Sequence, residues 1–124
     1  MTAFCWHDLA AADAPAARRF YGAVFGWSTA VQGANGGSFL RLRSGQSDVG
    51  SLYPLSRVQL DAGVPSHWTS YVRVDDVDAA ARRVQDAGGR VLVMPFAVEG
   101  TALIAVIADP AGAMLGLWQD LPHA

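Results

Sequence analysis

The chain repeats itself, and this constrains its fold more than any other feature. An offset of 63 (76 − 13) lays Asp13 on Asp76, Ala17 on Ala80, Tyr21 on Val84, Val24 on Ala87 and Gly26 on Gly89. In the first copy Asp13 is a natural N-cap and Pro15 sits where a missing N–H costs nothing. Ala17, Phe20, Tyr21 and Val24 then follow at i, i+3, i+4, i+7 spacing. In the second, Asp75-Asp76 cap a stripe of Val77, Ala80, Ala81, Val84 and Ala87 that closes at Gly88-Gly89. Strands are predicted before and after each helix. Phe4 to Leu9 comes first, ended by Ala10-Ala11-Ala12 as a loop, followed after the helix by Trp27 to Gln32, Phe39 to Arg43 and Val49 to Tyr53. The second set is His67 to Val74, Arg90 to Met94, Ala102 to Ala108 and a last strand centred on Met114 to Trp118. Pro95 to Thr101 reads as a loop. Each copy is thus strand, helix, three strands, and either alone would leave one sheet face without a partner. The expected fold is α+β: two tandem βαβββ modules forming cupped mixed sheets around a shared cleft, with helices outside. The modules span about 3–54 and 67–120, joined by a polar linker at about 55–66, in a single domain covering 1–124.

Composition narrows the chemistry. At 124 residues, 52% hydrophobic and 16% charged, the chain can bury a core of its own. All nine cations are arginines scattered along the chain and the net charge is −2, so there is no basic stripe for nucleic acid. The absence of lysine removes Schiff-base and P-loop chemistry. No apolar run approaches the ~18 residues of a membrane span, and the N-terminus lacks a signal-peptide pattern. One cysteine, Cys5, excludes an internal disulfide and fits a reducing, cytoplasmic setting.

Strand alternation sorts residues between the two faces of each sheet. One parity collects Leu9, Leu40, Leu42, Val72, Val74, Leu115 and Leu117, a helix-facing layer. The other collects Phe4, Trp6, Asp8, Phe39, Arg41, Gly50, Leu52, Thr69, Tyr71, Arg73, Met114, Gly116 and Trp118 as the cleft lining. In the last strand Gly116 leaves a hole between Met114 and Trp118, predicted to be the floor of a pocket. The strand is delivered by a tight turn at Asp109-Pro110 with Gly112 at positive φ.

The sequence resembles the vicinal-oxygen-chelate superfamily, which includes glyoxalase I, extradiol dioxygenases and bleomycin- and fosfomycin-resistance proteins. The match is carried by Asp13 with Phe20-Tyr21 and Phe25-Gly26-Trp27, by Val74-Asp75-Asp76-Val77 with Ala87-Gly88-Gly89, and by Asp109-Pro110 with Gly112. It covers nearly the whole chain. Cys5-Trp6-His7-Asp8-Leu9 and Gly116-Leu117-Trp118-Gln119 are similar to a branch often labelled glyoxalase-like or hydroxylase-like. The resemblance implies a divalent ion held by one residue from the first strand and one from the last strand of each module. Those positions fall here on Trp6, Gly50, Thr69 and Gly116. Imidazole or carboxylate donors are what such an ion requires, and none of the four supplies one. No metal and no other cofactor is therefore expected.

Candidate roles follow. Asp8 is the candidate general base or hydrogen-bond anchor, because desolvation on the cleft floor would raise its pKa; pairing with Arg41 or Arg73 is the plainer alternative. Trp6, Phe39, Arg41, Leu52, Thr69, Tyr71, Arg73, Met114 and Trp118 are the expected ligand-binding residues, with the arginines offering a fork to an acidic group. Cys5 reads as a buried inert thiol, His7 and His67 as structural or surface residues, His123 as solvated tail and Glu99 as an exposed turn or lid. The leading expectation is a metal-free protein that holds a small planar or anionic molecule in an aromatic cleft, sequestering it as bleomycin-resistance proteins do. The alternative is a glyoxalase-like lyase, isomerase or hydroxylase using Asp8 or a relocated metal site. A partner-binding or regulatory module is a third possibility, marked by an exposed apolar patch. Family resemblance also implies a homodimer.

Overall fold

A computed structural model describes residues 2–122, so His123 lies outside the described residues. The elements run β1 (Phe4–Ala11), α1 (Ala14–Phe25), β2 (Ser28–Ala34), β3 (Gly37–Ser44), β4 (Ser47–Pro54), α2 (Arg57–Asp61), β5 (His67–Arg73), α3 (Val77–Asp86), β6 (Arg90–Val98), β7 (Ala102–Ala108) and β8 (Met114–Asp120). This is a mixed α+β fold in which strand, helix, three strands occurs twice. Both predicted caps form: Asp13 accepts from the Ala16 N–H and Asp76 from the Ala79 N–H. Gly26 ends α1 in the left-handed conformation at φ 72°, which a side chain would resist.

The chain divides into two units whose boundary passes through β1 and β5: His7–Thr69, and the N-terminal residues to Trp6 with everything from Ser70 onward. In the His7–Thr69 unit, β3 pairs antiparallel with both β2 and β4, and β4 runs parallel to β1. Leu9, Ala11, Leu42 and Leu52 form its core, with Ala14, Ala17 and Tyr21 of α1 packed against them. In the other unit β7 pairs antiparallel with β6 and β8, and β8 runs parallel to β5. There Val77 and Ala80 of α3 close on Ala105, Ile107 and Leu117. The leucine parity read from the sequence is therefore the helix-covered face in both units.

Four features depart from expectation. β1 runs on through Ala10 and Ala11, because Ala10 pairs with Tyr53 and both alanines are buried; the ladder overrides the loop-like composition. The linker contains α2, started by a capping box in which Ser56 and Gln59 satisfy each other's backbone N–H. β6 continues past Pro95 to Val98, since it pairs only with β7 within its unit and two register shifts accommodate the proline. Finally, α1 buries none of its residues whereas α3 buries three. Phe20 and Val24, expected in the core stripe, are exposed because the close approach is made by Ala14 and Ala17.

Candidate functional site

The turn feeding β8 forms as the sequence dictates. Asp109 Oδ1 accepts from the N–H groups of Ala111 and Ala113, and Gly112 takes φ 99°. β8 then sends Leu115 and Leu117 toward α3 and Gly116 and Trp118 to the other face. On that face Tyr71 of β5 stands directly opposite Gly116 in the parallel ladder. A Cβ built on Gly116 would run into the Tyr71 ring. The predicted hole is therefore not a pocket floor: Tyr71, only 2% exposed, fills it. Its ring meets Trp118 edge-on at 6.0 Å, and Trp118 meets Trp6 at 5.8 Å with a 39° tilt. Ile104 and Ala102 belong to the same cluster, in which Trp6 and Trp118 are half-buried, while Met114 is exposed.

Polar groups border the aromatic face. Arg73 Nε lies 3.0 Å from Asp120 Oδ2, and Trp118 Nε1 donates to Asp120 Oδ1 at 2.9 Å. Asp120 thus fixes both the indole and the guanidinium, while Arg73 stays about half exposed and open to a second acceptor. Burial pushes the Cys5 thiol up; the Arg73 charge opposes this and Asp120 adds to it. A thiolate is disfavoured there, consistent with an inert Cys5.

In the His7–Thr69 unit the expected lining is partly corrected. Leu52 is in the helix-covered core, paired with Leu9 and Leu40, and not on the face that carries Arg41 and Asp8. Gly50 stands opposite core Leu42, so it too lies on the helix-covered face, where a Cβ would strike the His7 carbonyl. In Val49 to Tyr53 either parity contains apolar residues, so alternation alone cannot choose the face. The residue that shares a face with Arg41 and Asp8 is Ser51, buried and opposite both. Thr69 is buried and Phe39, opposite Gln32, is half-buried.

Arg41 binds Asp48 at 3.1 Å, and Asp48 also meets Arg43 at 3.4 Å. One carboxylate shared by two guanidinium groups leaves the cluster net positive, and Arg41 Nε is buried with no acceptor among the described residues. Asp8 acts on Tyr53: burial first, and the Asp8 charge second, push the phenol up to about 12. Tyr53 is therefore a neutral donor beside a carboxylate near pH 7. His67 accounts for itself locally, its Nδ1 lying 2.8 Å from the Pro65 carbonyl. Glu99 lies in the exposed turn after β6, where the hydroxyl of Thr101 donates to its carbonyl. Asp48 and Asp120, which organise the arginines, were missed from the sequence because one falls beside a turn and the other at the strand's end.

The four positions to which a divalent ion would be assigned do not fit one. Trp6 contributes an indole and Thr69 a neutral hydroxyl, while the space beside Gly116 is taken by Tyr71 and that beside Gly50 by β1 backbone. Among the described residues no three His, Cys, Asp or Glu side chains converge.

Residues 4–117 match the glyoxalase/bleomycin resistance protein/dioxygenase superfamily. The chain belongs to that superfamily. Among its relatives in the superfamily is the anthracycline biosynthesis protein DnrV of Streptomyces peucetius, 35% identical over 128 residues, covering 92% of this chain and 46% of DnrV. CFP32 of Mycobacterium tuberculosis, named as a glyoxylase, is 35% identical over 121 residues, covering 95% of this chain and 46% of CFP32. The chain spans about half the length of these curated relatives. The same fold is also seen in solved structures. Methylmalonyl-CoA epimerase from Mycobacterium tuberculosis superposes with a TM-score of 0.66 at 18% identity, covering 97% of this chain and 89% of that one. The hypothetical protein BH1468 from Bacillus halodurans superposes at 0.69 with 15% identity, covering 99% and 97%. At such identities the likeness is one of fold.

Proposed function

We propose that this superfamily member binds a small, flat organic molecule by stacking on the indoles of Trp6 and Trp118, with Arg73 meeting an acidic group, and without a metal ion. The observation that carries this reading is the Tyr71 ring seated over Gly116: the space beside that glycine holds aromatic carbon. Stacked aromatic pairs contribute about 0.5–1.5 kcal/mol each beyond their buried area, so two pre-positioned indoles can hold a planar body. Asp120 reduces the rearrangement needed on binding because it already orients Trp118 and Arg73. DnrV, by its name, is an anthracycline biosynthesis protein, which supports a small organic ligand.

The test is tryptophan-fluorescence titration of the protein with planar aromatic carboxylates in buffer containing a chelator. Saturable quenching is expected, weakened about tenfold or more in Trp118→Leu and in Trp6→Leu. Binding that appears only when a divalent ion is added, or that ignores both substitutions, overturns the proposal.

A further inference from the structure

The loose seating of α1 leaves an open groove of about 510 Å³ between the helix and strands β2 and β3, wholly inside the His7–Thr69 unit. Its apolar wall is Trp27, Leu40, Ala14 and Pro15; Arg18 and Arg19 stand at the helix side. The Trp27 wall is packed against other aromatic rings. Its ring stacks on Tyr21 at 5.6 Å and 18°, meets Phe25 at 5.1 Å and Trp68 at 6.3 Å, and Trp68 Nε1 donates to Tyr21 Oη at 3.1 Å. The two guanidinium groups, by contrast, meet no carboxylate among the described residues, and the first turn of α1 holds no acidic residue.

We infer that this groove is a second ligand site, separate from the Trp6–Trp118 face, that takes a small amphipathic anion. The apolar body lies against Trp27 and Leu40, and a carboxylate, sulfonate or phosphate is held by Arg18 and Arg19. The volume falls in the range of small-molecule sites, about 300–1,000 Å³. Charge complementarity selects the ligand: two uncompensated guanidinium forks beside an apolar wall favour an anion with a hydrophobic body over a neutral molecule of the same shape. The sequence concealed this site because the stripe of Ala17, Phe20, Tyr21 and Val24 reads as a helix pressed onto its sheet.

The probe is 8-anilinonaphthalene-1-sulfonate, with neutral N-phenyl-1-naphthylamine as its control, titrated into the whole chain. One saturable site that prefers the sulfonate is expected to remain when Trp118→Leu has removed the aromatic face. The preference falls about tenfold or more in Arg18→Gln/Arg19→Gln. These are exposed positions, so the fold is retained. Gly22→Leu fills the groove and abolishes the binding that survives Trp118→Leu. A Cβ there stands 3.5 Å from the Trp27 carbonyl, an ordinary contact, and leucine is a better helix former than glycine. Trp118→Leu leaves this binding intact, which separates the groove from the aromatic face. Affinity unchanged in both groove variants, no preference for the anion, or loss in Trp118→Leu overturns the inference.

Discussion

Gly116→Ala is expected to destabilise the protein by about 1–3 kcal/mol, although alanine is the smallest side chain that could be added. The new methyl would enter the Tyr71 ring, and that ring cannot yield freely because it is buried among Ala102, Ile104 and Trp118. The cost belongs to the pair. In a Tyr71→Leu background, which removes the ring carbons facing Gly116, the same substitution should cost at least about 1 kcal/mol less, a coupling typical of residues in contact. Equilibrium urea unfolding of the four proteins supplies the cycle. A neutral Gly116→Ala, or strictly additive losses, would mean that the ring does not fill this space. Gly116→Glu puts a carboxylate where the superfamily resemblance places a metal ligand. It should be worse than alanine, since it adds an uncompensated buried charge to the collision.

Gly50→Ala should cost more, about 3 kcal/mol or above. Here the obstacle is the His7 carbonyl, so relief requires moving backbone rather than turning a side chain. The parallel pairing of Asp8 with Ser51 and of Leu9 with Leu52 lies immediately beyond, and opening it would expose Leu9 and Leu52 of the core. Gly33→Ala is the internal control. Its added Cβ would find only an ordinary contact 3.7 Å away, and it should change stability by no more than about 0.5 kcal/mol. If Gly50→Ala behaves like this control, the assignment of Gly50 to the helix-covered face is wrong.

The repeat, both helix caps and the face of β8 were legible because each is written in local signals: an Asp before an apolar stripe, a Pro–Gly turn, strict alternation of leucines. The faces of Gly50 and Leu52 were not, because Val49 to Tyr53 satisfies either parity and only pairing with β1 and β3 decides between them. Gly116 illustrates the same limit. Its face was read correctly, but whether its missing side chain leaves a void depends on the parallel register of β5, which brings Tyr71 from 45 residues away (116 − 71). Strand parity makes Arg41 and Arg73 expected ligand-binding residues, whereas their carboxylates, Asp48 and Asp120, emerged only from the strand pairings that place them on the same face. The exposed Phe20 and Val24 mark a difference between the repeats that no helical pattern records.

At the Trp6–Tyr71–Trp118 face the proposed recognition is by aromatic surface and not by an ion. Titration calorimetry of chelator-treated protein with Ni²⁺, Zn²⁺ and Mn²⁺, followed by metal analysis after dialysis, addresses this directly. No saturable one-to-one uptake and a metal content far below one ion per chain are predicted. A stoichiometric ion retained through dialysis and released by substitution of Thr69 or Asp8 would contradict it.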